Sequence, residues 1–494
     1  MKDKILHTLR RWPVFLLMLP LFVMLHELNR NYAPGLTGTA LLLVLLYTGA
    51  AIAFTLLPGL LLRSFRKAAI ITLSLLLFNF FFGTVHDRVR LQLGGGFFFA
   101  RYTVIIGLLL VFLVVLFLWL RRSERKFEKL YLFLNVLFPL LIAADLVTLL
   151  PKMAKKDTDT AHGLSARFTR CDSCSKPDVY VILADEYAGN QELKDIFSFD
   201  DSAFYAALQK RGFHLVNNSA SNYNATVYSM ASLFNMDYIR LSAGDRVTQG
   251  DMLRCRNIIN NNSTGHFFTS NGYSVFNYSF FNLQGQPKSV TNYYFHPRSR
   301  ILNFGTFLYR FQRDVLPNHF SREKWEAVYK NDFTNDETND SLLRKLITGK
   351  RTGPRFVYTH FTRPHHPYYV DRNGHFVSTW YDTARGFEPV RNAYTEHLLY
   401  TNGRLLQLVD LILAKSDSPP VILLASDHGF RQLPAGTARK YYFMNLCAIF
   451  TPDKDYSKFY DGMSPVNTFR MILNTQFGQR LPLLKDSSIF LTEE

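Results

Sequence analysis

Apolar residues crowd the first third of the chain and become patterned afterwards. A bilayer's hydrocarbon core needs about 20 residues of helix to cross it. Five runs approach or exceed that length: Trp12–Leu28, Thr39–Leu62, Ala68–Val85, Tyr102–Leu120 and Leu130–Leu150. From Pro151 to Pro177 the composition turns polar and lysine-bearing, as a juxtamembrane linker does. Beyond it, short runs that are apolar on both faces alternate with helical periodicities. Asp178–Ala184, Tyr273–Ser279, Arg355–His360, Pro420–Ser426 and Leu446–Phe450 read as buried strands, and Ala203–Arg211 and Asn392–Lys415 as helices. This order predicts a bundle of five transmembrane helices over 1–150, a linker over 151–177, and an α/β domain with a mostly parallel central sheet over 178–494.

Charge refines this picture. Of the 494 residues, 56 are Lys or Arg and 39 are Asp or Glu, a formal balance of +17. Residues 1–150 hold 16 of the basic and 6 of the acidic side chains, so +10 of the excess lies beside the apolar runs. That distribution fits membrane topology, and no nucleic-acid partner is expected. One set of short loops carries twelve basic residues (Lys2, Lys4, Arg10, Arg11, Arg63, Arg66, Lys67, Arg121, Arg122, Arg125, Lys126, Lys129). The opposite set carries seven: Arg30, Arg88, Arg90, Arg101, Lys152, Lys155 and Lys156. The bias puts the N-terminus in the cytoplasm, and five crossings then leave the α/β domain outside it. The expected location is the cytoplasmic (inner) membrane, multi-pass, with the catalytic domain extracytoplasmic. There, Cys171 and Cys174 of the CxxC segment read most simply as a small disulfide loop.

In open α/β sheets, chemistry collects at the carboxyl ends of the strands. Asp185-Glu186 follows the first predicted strand, and Ser426-Asp427-His428-Gly429 follows VILLA. Carboxylates and an imidazole at strand ends suit a divalent metal, Zn²⁺ or Mn²⁺. His360 and His365-His366 supply a third cluster, stiffened by prolines. Within Ser221–Asn235, a hydroxyl opening a helix reads either as a cap or as a nucleophile beside the positive end of the helix dipole. The chain has no Walker lysine loop, dinucleotide fingerprint or HExxH helix.

Taken in order, these segments resemble the membrane-anchored branch of the alkaline phosphatase/sulfatase superfamily, over roughly residues 176–452. They are similar to the lipoteichoic acid synthase and phosphoethanolamine transferase families. The resemblance implies a metal held by Asp185, Thr226, Asp427 and His428, with Thr226 as nucleophile. His365 then contacts the transferred group, with His360 a weaker counterpart and Glu186 an additional ligand. It further implies transfer of a phospholipid-headgroup phospho-substituent, of phosphoethanolamine or phosphoglycerol type, onto a cell-envelope glycan or lipid. The alternative is a membrane-anchored phosphodiesterase or sulfuric ester hydrolase of the same sulfatase-like family. The chain departs from the family in three places. Asp185 stands where the relatives have Glu, no CxPxR or SxPxR formylglycine motif lies near Thr226, and FNYSFFNLQG lacks the histidine the synthases carry there.

Overall fold

The computed structural model describes every residue except 1, 33–35, 95–96, 155–163, 165–166, 170–174, 242–245, 292–297, 317–321, 378–385 and 494. Cys171 and Cys174 therefore lie outside the described residues. Contacts divide the chain into two units, Met1–Lys156 with His296–Ser321, and Asp157–Phe295 with Arg322–Glu494.

The first unit is helical. Among the described residues, four helices are long and apolar enough to cross a membrane: Thr37–Leu62, Phe65–Leu93, Tyr102–Arg122 and Glu128–Ala154. The run expected as the first span forms a shorter helix, Phe15–Arg30. Its 16 residues reach about 24 Å at 1.5 Å per residue. Helix Lys2–Arg11 precedes it, and the break at Trp12–Val14 leaves backbone groups to satisfy. Buried Asn135 does this: its side chain accepts from Phe15 N–H (2.7 Å) and donates to the carbonyls of Leu9 and Trp12 (2.8 Å each).

Residues 298–314 belong to this helical unit although they lie between two strands of the other. Helix Arg298–Asn303 and helix Phe307–Asp314 pack on the apolar helices. The Phe307 ring lies 4.8 Å from Phe78 and 5.0 Å from Phe82. Around these rings, Arg310 pairs with Asp87 (2.6 Å) and Tyr102 donates to Asp314 (2.6 Å). Gly83 N–H donates to Gly305 O at 2.8 Å, and a Cβ at Gly83 would stand 2.7 Å from that oxygen. Only glycine permits this approach.

The second unit is an α/β sandwich. Its strands are β1 (Val179–Ala184), β2 (His214–Leu215), β3 (Arg246–Val247), β4 (Ser274–Tyr278), β5 (Arg355–Phe361), β6 (Val421–Ala425), β7 (Cys447–Phe450) and β8 (Thr492–Glu493). The main sheet has the order β2-β7-β6-β1-β5-β4. Strands β4, β5, β1 and β6 run parallel, β7 is antiparallel to β6 and β2 to β7, while β3 and β8 pair separately. Alternate residues of β1 face opposite cores. Val179, Val181 and Leu183 pack with Met230, Phe234 and Phe469. Tyr180, Ile182 and Ala184 pack with Leu193, Leu208 and Leu405. Burial on both faces explains why the strand reads as an unbroken apolar run.

A buried triad locks helix Phe387–Lys415 to the turn after β1. Tyr187 donates to Asp201 (2.6 Å), and Asn402 Nδ2 donates to Asp201 Oδ1 (2.7 Å). Burial pushes the Asp201 carboxyl up from 3.8 to about 7, although both hydrogen bonds work to lower it. Between those values the folded protein holds a proton that the unfolded chain releases, so this group's contribution to stability is lost as pH rises through the window. Asp201→Asn keeps the shape and the acceptor for Asn402 Nδ2, and its new amide N–H faces the Tyr187 oxygen, whose hydroxyl can donate to Asn402 Oδ1 at 2.6 Å. The fall in thermal midpoint between pH 4 and pH 8 is expected to be smaller in this variant. An unchanged pH profile, followed by scanning fluorimetry, would contradict the assignment.

Candidate metal and phosphoryl-transfer site

Strands β1 and β6 are neighbours in parallel register, with Leu183 paired to Ala425, so the residues that follow them emerge side by side. Asp185, Asp427 and His428 come together there. One ligand atom from each lies within 4.8 Å of the others, and all three residues are buried. His428 Nε2 stands 3.0 Å from Asp427 Oδ2. His428 Nδ1 donates to Gly429 O at 2.8 Å, because a carbonyl can only accept. That bond turns Nε2 toward the site, which is how ligating histidines are oriented.

Thr226 is the first residue of helix Thr226–Asn235, and its Oγ1 lies 3.2 Å from His428 Nε2. The preceding residue, Ala225, has no side chain to cap the helix. The first-turn N–H groups therefore point their partial positive charge at the space beside Thr226. Thr226 thus stands one position inside the cap, and its hydroxyl faces the His428 imidazole.

The loops are tied to each other. Glu186 N–H donates to Asp427 Oδ1 (3.0 Å), Tyr187 N–H to Ser426 Oγ (2.9 Å), and Ser426 Oγ to His428 O (2.8 Å). Glu186 has φ +58°, a left-handed conformation that side chains rarely adopt. Its backbone is held by Tyr394, which donates to Glu186 O (2.8 Å) and accepts from Ala188 N–H (2.9 Å). The Glu186 carboxylate accepts from Arg431 N–H (2.7 Å) and lies 3.5 Å from His365 Nε2. Burial works to raise its pKa, but His365, Arg431 and His428 outweigh burial and hold it below the ordinary carboxylate value. Asp427 is likewise depressed: burial is opposed by His428, His360 and the Glu186 N–H. His428 is raised, because Asp427 overcomes its desolvation.

His360 sits inside β5 rather than on a surface loop, paired with Leu183. Its Nε2 is 3.4 Å from Asp185 Oδ2, its Nδ1 2.6 Å from Tyr358 OH, and the Phe280 ring lies 4.4 Å from it. Asp185, Glu186, Thr226, His360, His365, Asp427 and His428 thus gather at one carboxyl edge, while the His366 ring packs on Tyr368. Sequence reasoning missed three partners: Arg431, Tyr394 and the Phe280 ring. Arg431 lies two residues past SDHG, and Phe280 lies in the segment noted only for its missing histidine. For Tyr394, one aromatic among 26 tyrosines, the sequence carried no signal.

A divalent cation fits this donor set. Asp185 Oδ1 and Glu186 Oε2 are buried without a hydrogen-bond partner, Asp427 Oδ2 faces the His428 imidazole at 3.0 Å, and buried anionic oxygens demand a cation. Carboxylates with one imidazole suit a borderline-hard ion.

The chain belongs to the sulfatase family, whose model matches residues 178–445, more than half of its length. No curated protein matches it. Among solved structures, it is similar to the periplasmic domain of EptC from Escherichia coli (13% identity, TM-score 0.41, covering 64% of this chain and 90% of that one). It is also similar to the periplasmic domain of the phosphoethanolamine transferase EptC from Campylobacter jejuni (16%, TM-score 0.34, covering 63% and 92%). A third likeness is to the phosphonate monoester hydrolase of Agrobacterium radiobacter (14%, TM-score 0.37, covering 62% and 74%).

Gly429 provides a structural test of the site. A Cβ there would meet Tyr441 O at 2.2 Å, Met444 O at 2.7 Å and Glu192 Oε2 at 2.8 Å. Gly429→Ala must displace backbone next to His428, at a cost of about 1–3 kcal/mol. The expected result is a lowered thermal midpoint together with loss of bound Zn²⁺ or Mn²⁺, measured by elemental analysis. A variant that folds and binds metal like the parent would refute the packing argument.

Proposed function

We propose that this protein is a metal-dependent transferase of the cytoplasmic membrane that moves a phospholipid-headgroup phospho-substituent onto an envelope glycan or lipid. The observation that carries this reading is the Thr226 hydroxyl at an uncapped helix N-terminus, 3.2 Å from His428 and beside the Asp185/Asp427/His428 donors. In this reading Asp185, Thr226, Asp427 and His428 hold the cation, with Glu186 as an additional ligand. The bound ion supplies Lewis acidity, lowering the pKa of the threonine hydroxyl and neutralising phosphoryl charge.

The Thr226 hydroxyl gives up its proton to solvent, and Oγ attacks the phosphodiester phosphorus. An Oγ–P bond forms, the P–O bond to diacylglycerol breaks, and the leaving glycerol oxygen takes a proton from solvent. An acceptor hydroxyl then attacks the phosphothreonine phosphorus and loses its proton to solvent, while the Oγ–P bond breaks and Thr226 is freed and reprotonated. His365 borders the transferred group, its Nε2 accepting from Arg431 Nη2 at 3.1 Å and lying 3.5 Å from the Glu186 carboxylate. The N–H groups of the first helical turn hold the phosphoryl oxygens. His360 orients Asp185 and borders the transferred group.

This reading takes the 16-residue helix Phe15–Arg30 as a fifth crossing beside the four longer apolar helices, which with a cytoplasmic N-terminus would leave the catalytic unit outside the cytoplasm. Tethering then confines the site to the neighbourhood of lipid headgroups. The sulfuric ester hydrolase reading has less support, because no formylglycine motif accompanies Thr226, whereas a membrane-anchored phosphodiesterase would use the same residues with water as acceptor.

The test uses the full-length protein in mixed phospholipid vesicles with Zn²⁺ or Mn²⁺. Thr226→Ala should reduce diacylglycerol release by roughly a thousandfold, a magnitude typical of a lost nucleophile. Thr226→Ser should recover part of it, and mass spectrometry of the parent should find a phospho-adduct on the Thr226 peptide. Cleavage of soluble aryl esters without lipid turnover would make the protein a hydrolase instead.

A further inference from the structure

One buried carboxylate beside the site has no part in the chemistry above. Helix Arg322–Thr348 runs antiparallel to β5, as three contacts establish. Arg355, at the start of β5, donates to Leu346 O (2.8 Å), and Asn339 Nδ2 donates to His360 O (3.2 Å). Asp336 accepts from the N–H groups of Thr362 (2.7 Å) and Arg363 (3.0 Å), just past the strand. Each helical turn toward the N-terminus therefore moves one step toward the carboxyl edge of the sheet. Asp332 lies one turn beyond Asp336 on the same helix face, about 6 Å further along the axis. It passes the end of β5 and reaches the level of the His365 segment. The adjacent Phe333 ring packs edge-on against Tyr369 at 5.5 Å and fixes this turn.

Asp332 is fully buried, and neither carboxylate oxygen has a hydrogen-bond partner. An uncompensated buried carboxylate costs several kcal/mol. Burial, reinforced by Asp336, pushes its pKa up to about 7, while His365 pulls it down and Asp185 raises it. Both sides of the candidate site are thus within its electrostatic reach. A second divalent ion is a poor completion. Among the described residues, the cluster of metal-type donors is Asp185, Asp427 and His428, and Asp332 does not join a set of three. A monovalent organic cation needs a single buried carboxylate.

We propose that Asp332 is the counter-charge for an alkylammonium substituent on the phosphoryl group handled at this site, so that the protein selects cationic over uncharged headgroups. The proposal rests on the phosphodiester reading above and narrows its substrate class.

The experiment uses the full-length, metal-loaded protein. Binding is measured by calorimetry in the Thr226→Ala background, with O-phosphoethanolamine and glycerol 3-phosphate as probes. Turnover is measured as diacylglycerol release from phosphatidylethanolamine and phosphatidylglycerol vesicles. Asp332→Asn is expected to cut the preference for the ammonium-bearing ligand roughly tenfold in both assays, the scale of a lost charged contact. Asp332→Glu should retain part of it. Removing an unpartnered carboxylate should not lower the thermal midpoint, and Asp332→Ser serves as a second neutral variant.

An unchanged preference in either neutral variant would overturn the proposal. So would loss of one equivalent of metal, which would make Asp332 a ligand. Preference lost on binding with no diacylglycerol from any vesicle would sustain the role of Asp332 and defeat the lipid-transferase reading. Diacylglycerol from both lipids without discrimination would do the reverse.

Discussion

Asp185, Glu186 and Asp427 are carboxylates taken out of water at the ends of two adjacent parallel strands. Like charges at this spacing repel strongly in a low-dielectric interior, and each must be compensated in place. The surrounding structure does much of this. His428 sits against Asp427, His360 against Asp185, and Arg431 with His365 against Glu186. Backbone N–H groups from neighbouring loops supply further hydrogen bonds. Asp185 Oδ1 and Glu186 Oε2 stay without hydrogen bonds, and they point to an added cation as the missing partner. The strained backbone at Glu186 belongs to the same account: Tyr394 and Arg431 over-determine a conformation that would otherwise relax.

The sheet topology makes this crowding reachable. With β1 between β5 and β6, three loops leave one edge within a few ångströms, and the helix opening at Thr226 adds a dipole aimed at the same space. Helix Arg322–Thr348 lies alongside β5 and carries its acidic face, Asp336 and Asp332, to that edge. Charge balance is thus set by four separate chain segments, which contribute opposite signs to one water-excluded volume.

The helical unit obeys a different constraint. Apolar helices satisfy their own backbone groups and leave side chains to determine packing. Gly83, Gly305 and the Phe78/Phe82/Phe307 rings let residues 298–314 lie against them, while Arg310 and Asp314 pair with Asp87 and Tyr102. The polypeptide therefore passes between the two units three times.

Legibility in the sequence followed the range of the interactions involved. The buried strands were readable because apolar runs such as VYVILA and VILLA are local patterns, and Asp185-Glu186 and Asp427-His428 were readable because they follow those runs directly. Apolar length likewise announced four membrane-type helices, yet it overstated the first run, where Trp12-Pro13 breaks the helix and Asn135 repairs the break. Tyr394, Arg431, the return of 298–314 and the buried face of Asp332 were not readable. Each depends on a contact across many residues, such as the 208 between Tyr394 and Glu186. The sequence by itself determined which residue types stand at the strand ends. Only the tertiary structure decided which of them share one desolvated space, because desolvation belongs to the packed volume and not to any single segment.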